Sequence, residues 1–351
     1  MRVVHLPTNI ASMPSHTVRA LRALGVDAVG FEIGVPSAIV TGAAIETVPF
    51  PARKNLAEWR RFVAWYLRTI RDADIVHWYY ETRYPTYGID PIAVRLLRTP
   101  GVVEWQGSEI RIPEVEFADN PAYTYAWEHG YEFRGIETLR HSSSVQRRFA
   151  HAGFEPVAAP GMVQYVLPEY RERMSVIPRG IILDDFEVHL PDVRSARPRI
   201  VHAPSSPNAK GTPSIVAAVQ QLRSSHDFDF VLLHDVPREQ ALAEIARADI
   251  FVDQMILGDY GMAAIEAMAQ GKPVVCHVKP AVRARYADSL PIVEATPDTV
   301  ASVLDGLLTD GERRRLLGQA GRQYVEEEHD AMKRAAALIA VYEKVIALHG
   351  R

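Results

Sequence analysis

The feature that most restricts this chain is an alternation of short apolar runs with longer amphipathic ones, broken once and then resumed. "RVVHLP" leads into "SHTVRALRALG", where Val18, Leu21 and Leu24 share one helical face and Gly25 stands as the terminator. "DAVGFEI" follows. "NLAEWRRFVAWYLRTIRD" sets Leu56, Trp59, Phe62, Val63, Tyr66, Leu67 and Ile70 on one stripe, and "ADIVHWYY" and "GVVEWQGS" read as strands. Strands alternating with amphipathic helices predict a parallel sheet with helices on both faces. From Ile181 to Arg199, "IILDDFEVHLPDVRSARPR" is polar, proline-bearing and aperiodic, and reads as a linker.

Beyond it the alternation restarts with "IVHAP", "GTPSIVAAVQQLRSS", "FDFVLLHDV", "REQALAEIARA", "DIFVDQM", "GMAAIEAMAQG" and "PVVCHV". In "TPDTVASVLDGLLTD", Thr296 reads as a helix N-cap with Pro297 in the first turn. The tail "AMKRAAALIAVYEKVIALHG" is a final helix with Ala335, Leu338, Ile339, Tyr342, Val345 and Ile346 along one side. The expected architecture is α/β, with two doubly wound Rossmann-like domains facing a cleft. The first spans 1–185, the linker 186–197 and the second 198–330. An apolar stripe at the chain end needs a partner surface, so helix 331–351 is expected to pack against another element. Ligands of such sheets sit beyond the carboxyl ends of the strands, and domain clefts are favoured sites.

Composition narrows the partners. With 39 Lys and Arg against 43 Asp and Glu, the net charge is −4, and no basic field points to nucleic acid. The single cysteine, Cys276, lies in an apolar strand-like run and reads as a buried, inert thiol. The N-terminus lacks a secretory signature, and no run reaches the roughly 18 apolar residues of a membrane span. A soluble cytoplasmic protein is expected. No H-E-x-x-H or Cys/His ligand set suggests a metal, and no G-x-G-x-x-G follows the first strand, where Asn9 to Ser12 stand. No G-x-S-x-G elbow is present either.

Within "GDYGMAAIEAMAQGKPVV", one carboxylate, Glu266, sits at the centre of an apolar helix with Met262, Ile265, Met268 and Ala269 on one stripe. Glutamate is almost never fully buried unless paired. Glu266 therefore lies on a thin solvent face beside Gln270 or holds something. Gly258 and Gly261 permit close backbone approach, and the helix start favours an anion. A carboxylate one turn inside could take two hydrogen bonds from a vicinal diol such as a ribose. In "SSPNAKGT", Lys210 before Gly211 and Thr212 suits a phosphate, or is a solvated loop lysine.

In "EWQGSEIR", Glu109 and Arg111 follow a Gly turn. Arg111 either clamps an anion or pairs with Glu109. "HWYYETRYPTYG" and "NPAYTYAWEHGYEF" are aromatic-rich and aperiodic, suited to stacking a sugar or to packing a core. Arg53, Lys54, Arg60, Arg61, Arg68 and Arg71 make one helix side basic; a solvated face is the expectation, with peripheral contact to an anionic membrane as the alternative.

In order and spacing, "NAKGTPSIVAAVQQL", "YGMAAIEAMAQGKPVV" and "DGERRRLLGQAGRQYVEEEHD…AALIAVYEKVI" resemble the retaining GT-B glycosyltransferases of family four, the group 1 glycosyltransferases. In the first half, "VEWQGSEIR" and "VIPRGIILDDF" are similar to that family's catalytic-loop and pre-linker segments. The resemblance implies a metal-independent hexosyltransferase that retains anomeric configuration, with helix 331–351 packing back on the first domain. It would use a nucleotide diphosphate sugar as donor substrate, no cofactor, and a small-molecule or glycan acceptor bound near 78–87 and 106–111. It maps the ribose-binding Glu to Glu266, the diphosphate-binding Lys to Lys210, and the distal-phosphate amides to Tyr260, Gly261 and Met262.

The sequence departs from the family at three of its positions. Gly258 stands where the family has its first Glu, Ser205 where it has an Arg, and Gln106 where it has the catalytic-loop His. Half of the diphosphate clamp is then missing, or comes from elsewhere, with Arg111 and Arg179 as candidates. A nucleotide-sugar-binding protein without turnover and a sugar-nucleotide epimerase are the rival readings.

Overall fold

A computed structural model describes residues 1–34, 44–52, 55–80 and 90–350. The chain forms two compact units. One comprises Met1–Ile112, Ile136–Ile182 and Ala331–Arg351, and the other Pro113–Gly135 and Leu183–Asp330.

The first unit holds seven parallel strands: β1 (Arg2–Leu6), β2 (Asp27–Ile33), β3 (Ile45–Val48), β4 (Ile75–Tyr79), β5 (Gly101–Trp105), β6 (Phe154–Ala158) and β7 (Ser175–Val176). Their order is β3-β2-β1-β4-β5-β6-β7, so the winding reverses between β1 and β4. Strands β4 and β5 are buried along their whole length, which explains their near-continuous apolar sequence. The Leu56–Arg71 helix starts where the Asn55 side chain accepts from the Glu58 amide at 3.2 Å. Its stripe is narrower than the sequence implied. Phe62, Tyr66 and Ile70 are buried, whereas Leu56, Val63 and Leu67 are exposed. Arg53, Lys54 and the aromatic stretch from Glu81 to Ile89 lie outside the described residues.

The terminal Ala331–Leu348 helix belongs to this unit. Ala331, Ala335, Leu338, Tyr342 and Val345 are buried in one cluster with Val18, Leu21 and Ile75. A fully buried leucine contributes roughly 1.5–3 kcal/mol, so the stripe is a substantial part of this core.

The second unit has five parallel strands, β8 (Arg199–His202), β9 (Asp229–Leu232), β10 (Ile250–Val252), β11 (Val274–Cys276) and β12 (Val293–Glu294), in the order β12-β11-β10-β8-β9. Ile200, Ile215, Val219, Ile250, Leu304 and Leu307 lie in its core. The helix expected from Thr296 starts later, at Val300. Thr296 instead closes a turn by donating its amide to Thr299 Oγ1 at 2.9 Å. The stretch read as a linker is pinned down: His189 N donates to Gln270 O at 3.0 Å, and Leu190 packs on Gly271.

Residues 113–135, placed by sequence order in the first domain, pack in this second unit. Tyr123, Ala126 and Tyr131 form a cluster with Ala209 and Ile256. Asn120 Nδ2 donates to Ile256 O at 2.7 Å, and Glu132 accepts from the amides of Asn208 at 2.7 Å and Ala209 at 2.8 Å. Much of this aromatic run is therefore core and not a sugar platform; Tyr125 alone of its tyrosines is well exposed.

Candidate functional site

In the second unit, polar groups converge beyond the carboxyl ends of β8 and β10. His202 closes β8. Its Nδ1 lies 2.8 Å from the Val252 carbonyl, which can only accept, so Nδ1 carries the hydrogen and Nε2 accepts from Thr212 Oγ1 at 2.9 Å. Burial pushes its pKa down to about 4, so the ring is neutral and its tautomer fixed. Thr212 opens the Thr212–Leu222 helix after Gly211, whose φ of +77° and whose contact with Met255 leave no room for a side chain.

This tight turn presents Lys210. Its Nζ lies 3.1 Å from Asp253 Oδ1, and its side chain is 18% exposed. Asp253 follows β10 directly and is buried; its other oxygen accepts from the Gly261 amide at 2.9 Å. Gly261 caps the Met262–Ala269 helix. The loop leading to it is held by Gln254. That side chain donates to the carbonyls of Asp259 (2.6 Å) and His277 (2.8 Å), and accepts from the amides of Ile256 (2.8 Å) and Leu257 (2.6 Å). Tyr260 is buried, with its hydroxyl 3.0 Å from His329 Nε2 and 3.2 Å from Tyr324.

Two sequence expectations change here. Of the three amides assigned to a distal phosphate, Tyr260 N donates to Asp259 Oδ1 at 2.9 Å and Gly261 N to Asp253, which leaves Met262 at the helix start. Glu266 is on no solvent face: both it and Gln270 are buried. Glu266 Oε1 accepts from Arg238 Nε at 3.1 Å and Nη2 at 2.5 Å. Burial raises its pKa and Arg238 opposes that rise. Sequence reasoning missed Arg238, which opens the Arg238–Ala246 helix, and Asp253; an acid directly after the apolar "DIFV" run was the available signal for the latter.

Gly258 has φ +69°, and a Cβ there would lie 2.5 Å from Lys279 Cγ. The buried Lys279 ammonium pairs with Glu116 and Asp119, each at 2.9 Å. The lysine stem thus fills the space a side chain at 258 would need. Ser205 is exposed in the turn after β8.

The remaining candidates lie together in the first unit, after β5. Glu109 is buried and accepts from the amides of Gln106 and, at 2.8 Å, Gly107. Burial raises its pKa to about 7 against the pull of these hydrogen bonds. Arg111 pairs with buried Glu137 at 2.5 Å, and Arg179 donates to the Gln106 carbonyl at 3.4 Å. In this arrangement Glu109 braces the loop and the Arg111 charge is met by Glu137.

Solved structures share this architecture. Sucrose-phosphate synthase from Thermosynechococcus elongatus superposes with a TM-score of 0.66 at 15% identity, covering 99% of this chain and 100% of that one. Anabaena HepE in complex with UDP and glucose gives 0.59 at 13% identity, covering 98% and 100%. At such identities the likeness is one of fold, and it defines a GT-B α/β protein with two Rossmann-like units. Residues 211–324, which carry Gly211, Asp253, Gly261 and Glu266, match the family model for glycosyl transferases group 1. A curated relative, MMP α-(1->4)-mannosyltransferase from Mycolicibacterium hassiacum, is 28% identical over 214 residues, 50% of this chain. The matched region spans about half (49%) of that relative's length. Among the described residues no helix is long and apolar enough to cross a membrane.

Proposed function

We propose that the protein transfers a hexose from a nucleotide diphosphate sugar to a small-molecule or glycan acceptor, with retention and without a metal ion. The observation that carries this reading is the placement of Lys210 at the mouth of the Met262–Ala269 helix, with Glu266 slightly over one turn inside; the helix lies in the region that matches the family model. A cation and a helix N-terminus at one point suit the charge that grows on a departing diphosphate. Glu266, with both Arg238 bonds on Oε1, would receive the ribose hydroxyls. The neighbour HepE, solved in complex with UDP and glucose, and the mannosyltransferase relative support the substrate class.

The test is nucleotide release from a panel of nucleotide sugars, with and without candidate acceptors. Acceptor-dependent release is expected. Product formed from donor alone would mark an isomerising enzyme, and binding without any turnover a sensor. Glu266→Ala should weaken nucleoside diphosphate binding by about 1.5–3 kcal/mol, the cost of lost charged hydrogen bonds. Unchanged affinity in calorimetry would remove Glu266 from the ribose site. Lys210→Ala should lower turnover more than nucleoside affinity.

A further inference from the structure

Asp253 touches two of the groups expected to meet a donor phosphate. Its Oδ1 lies 3.1 Å from Lys210 Nζ, and its Oδ2 takes the Gly261 amide at 2.9 Å. The carboxylate is buried, and it is built in by chain position, directly after β10. The amide has one hydrogen to give and has given it. The ammonium has three and keeps two. A gap between the Met262–Ala269 helix and Lys210 is also absent: a Cβ on Gly261 would stand 3.4 Å from Nζ.

We infer that Asp253 is a resident counter-anion that sets how tightly the site holds a diphosphate. The inference rests on the proposed nucleotide-sugar reading of this same site. A phosphate meets Lys210 on its solvent side, through the donors that Asp253 leaves. It arrives within several ångströms of a fixed negative charge and without the Gly261 amide. Both effects weaken the resting complex with donor and with the nucleoside diphosphate product. The nucleoside end is untouched, since its contacts lie elsewhere. The ion pair therefore trades diphosphate affinity for easier product departure, while Lys210 stays fixed where the leaving group gains charge.

The test is calorimetric titration of uridine, guanosine and adenosine, and of UDP, GDP and ADP, into wild type, Asp253→Asn and Asp253→Ser. Removing one fixed charge at this distance should tighten the diphosphate that binds wild type by about tenfold or more. The matching nucleoside should bind as before. A mere structural role predicts the opposite sign, a loss for both ligands. Unchanged or weakened diphosphate binding in a variant that melts like wild type overturns the inference and leaves the nucleotide site standing. If Asp253→Asn does not fold, Asp253→Ser is read by the same rule. If none of the three diphosphates binds wild type or variant, the nucleotide reading fails and the inference falls with it.

Discussion

Both units gather polar side chains at the carboxyl ends of their central strands, and they use them differently. In the first unit, His5 of β1, His77 and Tyr79 of β4 and Glu104 of β5 meet Arg334 and Tyr342 from the terminal helix, and all six are buried. Arg334 Nη2 lies 2.5 Å from Glu104 Oε2, His77 Nε2 lies 3.1 Å from the same oxygen, and Tyr342 reaches His77 Nδ1 at 2.6 Å. In the second unit, His202 and Asp253 are buried, but Lys210 ends in a side chain that is 18% exposed. One cluster is closed and ties a helix to a sheet. The other keeps donors of a cation at the surface. The contrast separates buried charge that is fully enclosed from buried charge that leaves a cation's donors at the surface.

The sharpest way to break the contrast is Arg334→Ala. Leaving Glu104 buried without its cation should cost about 3–5 kcal/mol, read as a lower midpoint in denaturant. Lys210→Ala removes a side chain that is 18% exposed, so water can reach Asp253, which keeps the Gly261 amide; this variant should cost less stability. Similar losses from the two variants would erase the distinction. Acid sharpens it. Burial alone would raise the Glu104 pKa; the Arg334 charge and the His77 hydrogen bond outweigh it and hold it down at about 2. A depressed carboxyl stabilises the fold above its unfolded value near 4.5, and that contribution fades as pH falls from there toward 2. The Arg334→Ala variant should lose this acid slope.

Glu109 should titrate with the opposite sign. Its pKa is raised from 4.5 to about 7, so its protonated form favours the fold below 4.5, and that contribution is lost as pH rises through 7. Between pH 4 and pH 8, the stability of Glu109→Gln relative to wild type should shift in favour of the variant by about 3 kcal/mol, two and a half pKa units' worth. A flat difference across that range would mean that Glu109 stays ionised and that its two amide bonds outweigh burial.

The smallest expected effect is at Gly258. Gly258→Ala meets both a positive φ and the Lys279 stem and should cost about 1–3 kcal/mol. Gly25→Ala, at φ +80° with nothing within 4 Å, isolates the backbone part and should cost less. Equal losses would mean that Lys279 yields freely. If Lys279 holds its place, a glutamate at 258 should damage the loop and gain no contact.

Periodicity made the strands and most helices legible, because apolar side chains must repeat at the spacing of the element that buries them. The rule that a buried glutamate needs a partner correctly marked Glu266. Its partner was not legible, since Arg238 lies 28 residues upstream and only the packing of two helices joins them. The vacancy at Gly258 was legible as a departure from the family, while its cause, the stem of Lys279, was not. Thr296 looked like a cap because threonine followed by proline commonly is one; the helix starts after Thr299, whose hydroxyl accepts from the Thr296 amide and caps no helical one. The excursion of 113–135 was hidden because its apolar residues are clustered aromatics without a period, and sequence order alone assigned them to the wrong neighbour.

That excursion bears on how the protein could be recombined. The stretch 183–330 looks like a separable module, and the family match at 211–324 falls wholly inside it. Cut out alone, it would lose the side chains that cover Ala209 and Ile256 and the carboxylates that neutralise Lys279. A hybrid made by joining halves of two relatives near residue 185 would seat one parent's Glu116, Asn120 and Glu132 on the other parent's loops. The heritable unit of this half is thus split in two along the gene, and a graft carries its packing intact only when 113–135 travels with it.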